Sequence, residues 1–208
     1  MDLHRVIDLL RCKRKVFHSE ADFQFTLAWE IQVLYPKAEI RLEVPCFNNC
    51  VDILVINEGR VFPIELKYKT KLMSAVVNGE SFHLKNHDAQ DLGKYDFVKD
   101  ICRIESLVDK VENFSQGFAL WLTNEPSYWK PPQSTGVGYF DFSVHNGSKK
   151  TGVMAWGESV GTGTTRGRES KLTLSGEYEI EWKKYSDLNI SNSLFKYAVA
   201  EIQATRKS

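Results

Sequence analysis

The chain has 208 residues, 42% of them hydrophobic, which suits one folded domain with a real interior. Lys plus Arg and Asp plus Glu both total 27, so the formal net charge is zero, the global basic signature of a nucleic-acid binder is missing, and any polyanion site must be local. No run reaches the ~18 consecutive apolar residues of a membrane span or shows a signal-peptide core, and Cys12, Cys46, Cys50 and Cys102 do not resemble a disulfide framework, so the expectation is a cytoplasmic protein with reduced thiols and no membrane partner.

The opening MDLHRVIDLLRCKRKVF mixes charges with leucines. A helix is predicted from Ser19, the N-cap, with Asp22 as its partner three residues on; Phe23, Leu27, Ile31 and Leu34 then recur at helical spacing until Tyr35-Pro36. AEIRLEVPCF, VDILVIN and RVFPIELKY read as three strands, the last two joined by a Glu58-Gly59 turn. A polar stretch at residues 70 to 86 precedes a long helix over DAQDLGKYDFVKDICRIESLVDKVEN, and GFALWLT is a buried strand. Beyond it, EPSYWKPPQSTG reads as a loop, VGYFDFSVH and KLTLSGEYEIEWKKY as strands, and FKYAVAEI as a last strand or helix. GESVGTGTTRGRE lacks the Lys-Ser/Thr ending of a phosphate-binding loop and reads as a hairpin connection. The expected organisation is an α/β core over residues 1–125 and a β-rich extension over residues 126–208 packed on it.

A two-residue turn at Glu58-Gly59 sets Asn57 opposite Arg60, Val55 opposite Phe62, Ile53 opposite Ile64 and Asp52 opposite Glu65. Opposed residues have Cβ atoms ~4.5 to 5.5 Å apart and diagonal neighbours ~7 to 8 Å, which gathers Asp52, Glu65 and Lys67 on one face. Two ionised carboxylates in a low-dielectric setting repel and need a cation. A hard divalent ion, Mg2+ or Mn2+, takes oxygen ligands and keeps waters for a phosphate, while Lys67 can orient or deprotonate a water or neutralise developing charge. Glu20 heads the apolar stripe of the first predicted helix and is expected to face the same place. Gln90, one turn before Lys94, is a further polar candidate.

Val51-Asp52, followed after twelve intervening residues by Glu65-Leu66-Lys67 inside a helix-strand-strand-strand-helix-strand order, resembles the PD-(D/E)xK or restriction-endonuclease-like nuclease superfamily over residues 19 to 123. Within it the chain looks most like small stand-alone bacterial members whose next helix carries Q-D-x-x-K/R-Y-D-F-x-x-D-x-x-R-x-E, here Gln90 through Glu105. The resemblance implies an α-β-β-β-α-β mixed sheet flanked by helices. It further implies Asp52, Glu65 and the Leu66 carbonyl as metal ligands, Lys67 as catalytic lysine, Glu20 as helix acid and Gln90 as support, with Tyr95 and Asp96 as helpers. Val51 stands where the motif has proline, a position that contributes no ligand.

The function expected is metal-dependent hydrolysis of phosphodiesters, in DNA rather than RNA, with a homodimer left open; the alternatives are an RNA nuclease and a catalytically silent binding or interaction module of the same fold. Rival readings exist for single features. Asp52, Glu65 and Lys67 could form a structural salt-bridge cluster, Gln90 could lie on a solvated helix face, and Tyr95 could be core. Cys46 and Cys50 with Cys12, Cys102 or a helical His83/His87 pair lack a usual zinc spacing. Trp121, Trp129, Trp156, Trp182, Tyr128 and Tyr139 could stack on bases or simply pack. His18 could reach the site from just before the helix. Arg166, Arg168, Lys149 and Lys150, with Lys171 near them in sequence, are candidate phosphate contacts.

Overall fold

A computed structural model describes residues 1–46, 49–158 and 160–204. Helices α1 (Leu3–Lys13) and α2 (Glu20–Leu34) precede three strands, β1 (Glu39–Cys46), β2 (Asn49–Asn57) and β3 (Arg60–Lys69). A small hairpin of β4 (Met73–Val77) and β5 (Glu80–Leu84) leads to α3 (Gln90–Glu105) and β6 (Gln116–Thr123). A second hairpin pairs β7 (Ser148–Met154) with β8 (Leu172–Ile180), with the one-turn helix α4 (Thr162–Thr165) in its connection, and β9 (Lys183–Ser186) and β10 (Phe195–Gln203) end the chain.

The main sheet runs β1-β2-β3-β6-β10-β9; β3 and β6 are parallel and the other neighbours antiparallel. A parallel neighbour needs a crossover, here β4, β5 and α3. The protein is therefore mixed α/β, and the C-terminal strands β9 and β10 complete the same sheet as β1 to β3. One face of the sheet packs on α1, α2 and the β4–β5 hairpin through Ile53, Ile64, Leu66, Tyr68 and Leu120. The other packs on α3 and the β7–β8 hairpin through Val51, Ala119, Trp121, Ala198 and Ala200. Among the described residues no helix is long and apolar enough to cross a membrane.

Local chemistry explains most element ends. Ser19 Oγ accepts from the Asp22 N–H at 3.1 Å, so the predicted cap starts α2, and α2 stops before Pro36. Asp2 caps α1, an element the sequence reading left unassigned, by accepting from the Arg5 N–H at 2.9 Å. Four expectations need correction. The helix predicted through residue 113 ends at Glu105, because Leu107, Val108 and Lys110 donate to carbonyls three residues back and tighten the chain into turns; Leu107 is still buried. The polar stretch at 70 to 86 contains the β4–β5 hairpin, whose Met73, Phe82 and Leu84 are buried. VGYFDFSVH is a 3-10 turn at Phe140–Phe142, and the strand comes later as β7, disguised by a register shift between Lys150 and Gly152. His83 and His87 are not a helical pair: His83 lies on β5 and His87 in the loop before α3. Phe47 of the first predicted strand and Ser159 of the glycine-rich stretch lie outside the described residues.

Candidate functional site

The β2–β3 pairing is Asn57↔Arg60, Val55↔Phe62 and Ile53↔Ile64, as the two-residue turn requires. Glu58 (φ 51) and Gly59 (φ 73) are both left-handed, the geometry that matches strand twist in a tight hairpin. After Ile64 the ladder to β2 stops, so the expected pairing of Asp52 with Glu65 is not formed, while β3 continues to Lys69 with β6 on its other side. The open edge exposes the N–H groups of Leu66 and Tyr68, and two carboxylates take them. Asp52 Oδ2 accepts from Leu66 and Glu20 Oε2 from Tyr68, each at 2.7 Å.

The partner strands bend at the same place. The β1–β2 ladder includes Leu42↔Ile53 and Val44↔Val51 but skips Glu43 and Asp52, and Glu43 has φ 50, a left-handed conformation unusual for a side chain in a strand. Gln24, one turn after Glu20 on α2 and buried, holds this bend: its Nε2 donates to the Asp52 carbonyl at 2.8 Å and to Glu43 Oε1 at 2.6 Å. A pattern reading misses Gln24 because a mid-helix glutamine carries no signal beyond its four-residue spacing from Glu20.

Glu65 and Lys67 alternate with buried Leu66 and Tyr68 and so face α3, which answers them with charge of its own. Arg103 lies 3.0 Å from Glu65 Oε2, and Asp100 lies 2.6 Å from Lys67 Nζ and 3.4 Å from Arg103. Arg103 also donates to the Cys50 carbonyl. Glu65 is 2% exposed, and its Oε1 is buried with no hydrogen-bond partner. Burial, reinforced by the Asp52 and Asp100 charges, pushes the Glu65 carboxyl up to about 9 despite Arg103 and Lys67. Burial likewise raises Asp52, against the pull of the Leu66 N–H and Lys67. Burial also lifts Asp100 to about 6, although Lys67 holds it. For Lys67 burial opposes the charge, yet the contact with Asp100 keeps the ammonium above its usual value. Asp100 and Arg103, with Asp96 four residues before Asp100, lie on one helical face; that spacing was the available signal for them.

No protein-family model matches this chain, and no curated protein matches it.

The remaining candidates fall in different places. Gln90 opens α3, about 15 Å along the helix axis from Asp100, and donates to the His87 carbonyl at 3.4 Å. Tyr95 is 2% exposed, stacks on Trp156 and donates to the Ser170 carbonyl, so it belongs to the core. Asp96 is paired with Arg168 through two bonds of 2.6 and 2.8 Å. Lys149 pairs with Glu177, and buried Lys150 donates to the Asp141 carbonyl, while Arg166 is exposed after α4. Trp121, Tyr128, Trp129 and Trp182 are buried against one another, and Tyr139 lies under the Lys94 ammonium. All four cysteines are free thiols. His18 stacks on Phe82, bonds Glu80 at 2.8 Å, and lines a cavity together with Glu20.

Proposed function

We propose that the protein is a metal-dependent nuclease with a restriction-endonuclease-like core, hydrolysing phosphodiester bonds in DNA. The observation that carries the reading is the open edge of β3, where Asp52 takes the N–H of Leu66, the residue after Glu65, and the buried Glu65 Oε1 has no hydrogen-bond partner. In an extended strand the N–H and C=O of one residue point to the same edge. Since the Leu66 N–H lies on the open edge, the Leu66 carbonyl opens onto that edge as well. Among the described residues no three His, Cys, Asp or Glu side chains form a metal cage. The ligand set here asks for only two such side chains, a carbonyl and waters, all hard oxygen donors fitted to Mg2+ or Mn2+.

Asp52, Glu65 and the Leu66 carbonyl would hold the ion, which when bound polarises the scissile phosphate and lowers the pKa of a water. Glu65 must give up its proton to serve, so the site favours alkaline conditions. Lys67, held charged by Asp100, acts as a donor that orients water or neutralises phosphate charge, and not as a base. Glu20 fixes the Tyr68 N–H, and with it the strand end that carries Lys67, on the side of the open edge.

A second reading has its own observation. Arg103 on Glu65 and Asp100 on Lys67 compensate both charges without any metal, as in a nucleic-acid-binding or interaction module of this fold that does not turn over. The test is incubation of plasmid DNA, linear DNA and RNA with Mg2+ or Mn2+, comparing the natural protein with Lys67→Met. Cleavage of DNA that falls on the order of 100-fold in the variant supports the nuclease. RNA cut in preference to DNA moves the substrate. Binding without cleavage under either metal favours the module.

A further inference from the structure

Between the start of α2 and the β4–β5 hairpin lies a cavity of about 330 Å³, walled by Glu20, His18, Lys69, His83, Lys85 and His87. A second cavity of about 280 Å³ shares Lys69 and His87 with it and continues toward Asp96 and Arg168. The two cavities adjoin at Lys69 and His87 and are taken together as one cleft, and Lys69 follows Lys67 by two residues on β3, which sets the cleft beside the end of the candidate site.

The charge of this cleft stands out in a chain of zero net charge. Arg168 and Lys149 are already paired with carboxylates, and Lys150 is buried on a carbonyl. Among the described residues, Lys69 and Lys85 have no carboxylate partner. His87 is fixed in orientation: its Nδ1 accepts the Thr70 N–H at 2.9 Å, which leaves Nε2 to carry the proton of the neutral ring. His83 is held through Nδ1 by Ser74 Oγ at 3.2 Å. Of the walls named for the first cavity, only Glu20 is acidic, and one of its oxygens is committed to Tyr68; the second cavity adds Asp96, which is paired with Arg168, and Asp88, which accepts from the Asn86 side chain.

We infer that this cleft binds the sugar–phosphate backbone of the substrate strand on one side of the reacting phosphate, with Lys69 and Lys85 as the phosphate contacts and His87 Nε2–H as a neutral donor. The inference rests on the nuclease reading of the adjoining site. Phosphates are the chemistry that fits, because ammonium groups on flexible stems and an outward N–H match anionic oxygens, and the two tyrosines that line the cleft, Tyr68 and Tyr128, are buried and leave no open ring face for a base.

The experiment is fluorescence anisotropy of a labelled single-stranded oligonucleotide and of its duplex, titrated with the natural protein, with Lys69→Ala/Lys85→Ala and with Lys69→Arg/Lys85→Arg across a salt series. The alanine pair is expected to weaken binding tenfold or more at low salt. It should also reduce the slope of log K against log salt by about 1.4 on the single strand and about 1.8 on the duplex, the loss of two phosphate contacts. The arginine pair, which keeps the charges, should bind within threefold of the natural protein, and this separates lost contacts from lost folding. Binding of the alanine pair within twofold of the natural protein, with the salt slope unchanged, would overturn the cleft assignment even if DNA is cut. No binding of either oligonucleotide by the natural protein overturns the cleft and the nuclease reading together.

Discussion

Glu65 lies on β3 facing α3, with the Arg103 guanidinium 3.0 Å from its Oε2. A carboxyl 2% exposed, with one oxygen on Arg103 and the other unpartnered, is held above its usual range by burial, up to about 9. The folded protein then binds a proton that the unfolded chain releases near 4.5, so Glu65 contributes stability below that pH and loses it as pH rises toward 9. Glu65→Gln should flatten that part of the pH–stability curve in urea titrations. Arg103→Met should cost about 1 kcal/mol at pH 6, where Glu65 is protonated, and cost more as pH passes 9, where the natural protein gains a Glu65–Arg103 ion pair that the variant lacks. A cost independent of pH would count against the Glu65–Arg103 assignment. At Asp52 the two roles separate: Asp52→Asn keeps an oxygen for the Leu66 N–H, whereas Asp52→Ala leaves that N–H unpaired at about 1 to 3 kcal/mol. Thermal unfolding should therefore rank alanine well below asparagine.

At the scale of elements, α2 and α3 place the chemistry from opposite faces of the sheet. Ser19 starts α2 immediately before Glu20, so Ser19→Ala should lower stability by about 1 kcal/mol in denaturant titrations. β6 approaches α3 closely at Gly117, where a Cβ would run into Ile104 and come within 3.1 Å of Phe114. Gly117→Ala should cost about 1 to 3 kcal/mol by calorimetry, through a displaced α3. The β2–β3 hairpin was legible in the sequence because a two-residue turn leaves a single register, and α2 because its cap and apolar stripe agree. Asp100 and Arg103 were visible as charged positions of the Gln90–Glu105 pattern, but their pairing with Lys67 and Glu65 was not: they come from a helix 33 or more residues after Lys67, and no local rule says which sheet position a crossover helix faces. The bend at Glu43 and Asp52 was equally hidden, since Glu43 reads as an ordinary strand residue until its left-handed φ is seen. β4, β5 and β7 escaped because short strands with exposed polar faces resemble loops in composition.

Across the whole molecule, a neutral chain concentrates its unusual electrostatics in one place. Asp52 and Glu20 take the Leu66 and Tyr68 N–H groups where β2 leaves β3, Asp100 and Arg103 pair with Lys67 and Glu65 from α3, and two lysines with no carboxylate partner among the described residues line the adjoining cleft. Arg103 already lies 3.0 Å from Glu65 Oε2, so an arriving ion has to compete with it, as well as with the proton, for that carboxyl group. Cleavage should accordingly rise with pH from 6 to 9 as Glu65 loses its proton. The most direct measurement is plasmid cleavage at pH 8 in Mg2+, in EDTA, and by Asp52→Asn and Glu65→Gln, both checked for native unfolding transitions. Cleavage is expected in Mg2+ alone and lost in EDTA and in both folded variants. Cleavage undiminished in the two variants, or none by the natural protein with either Mg2+ or Mn2+, would contradict a metal-dependent nuclease at this site.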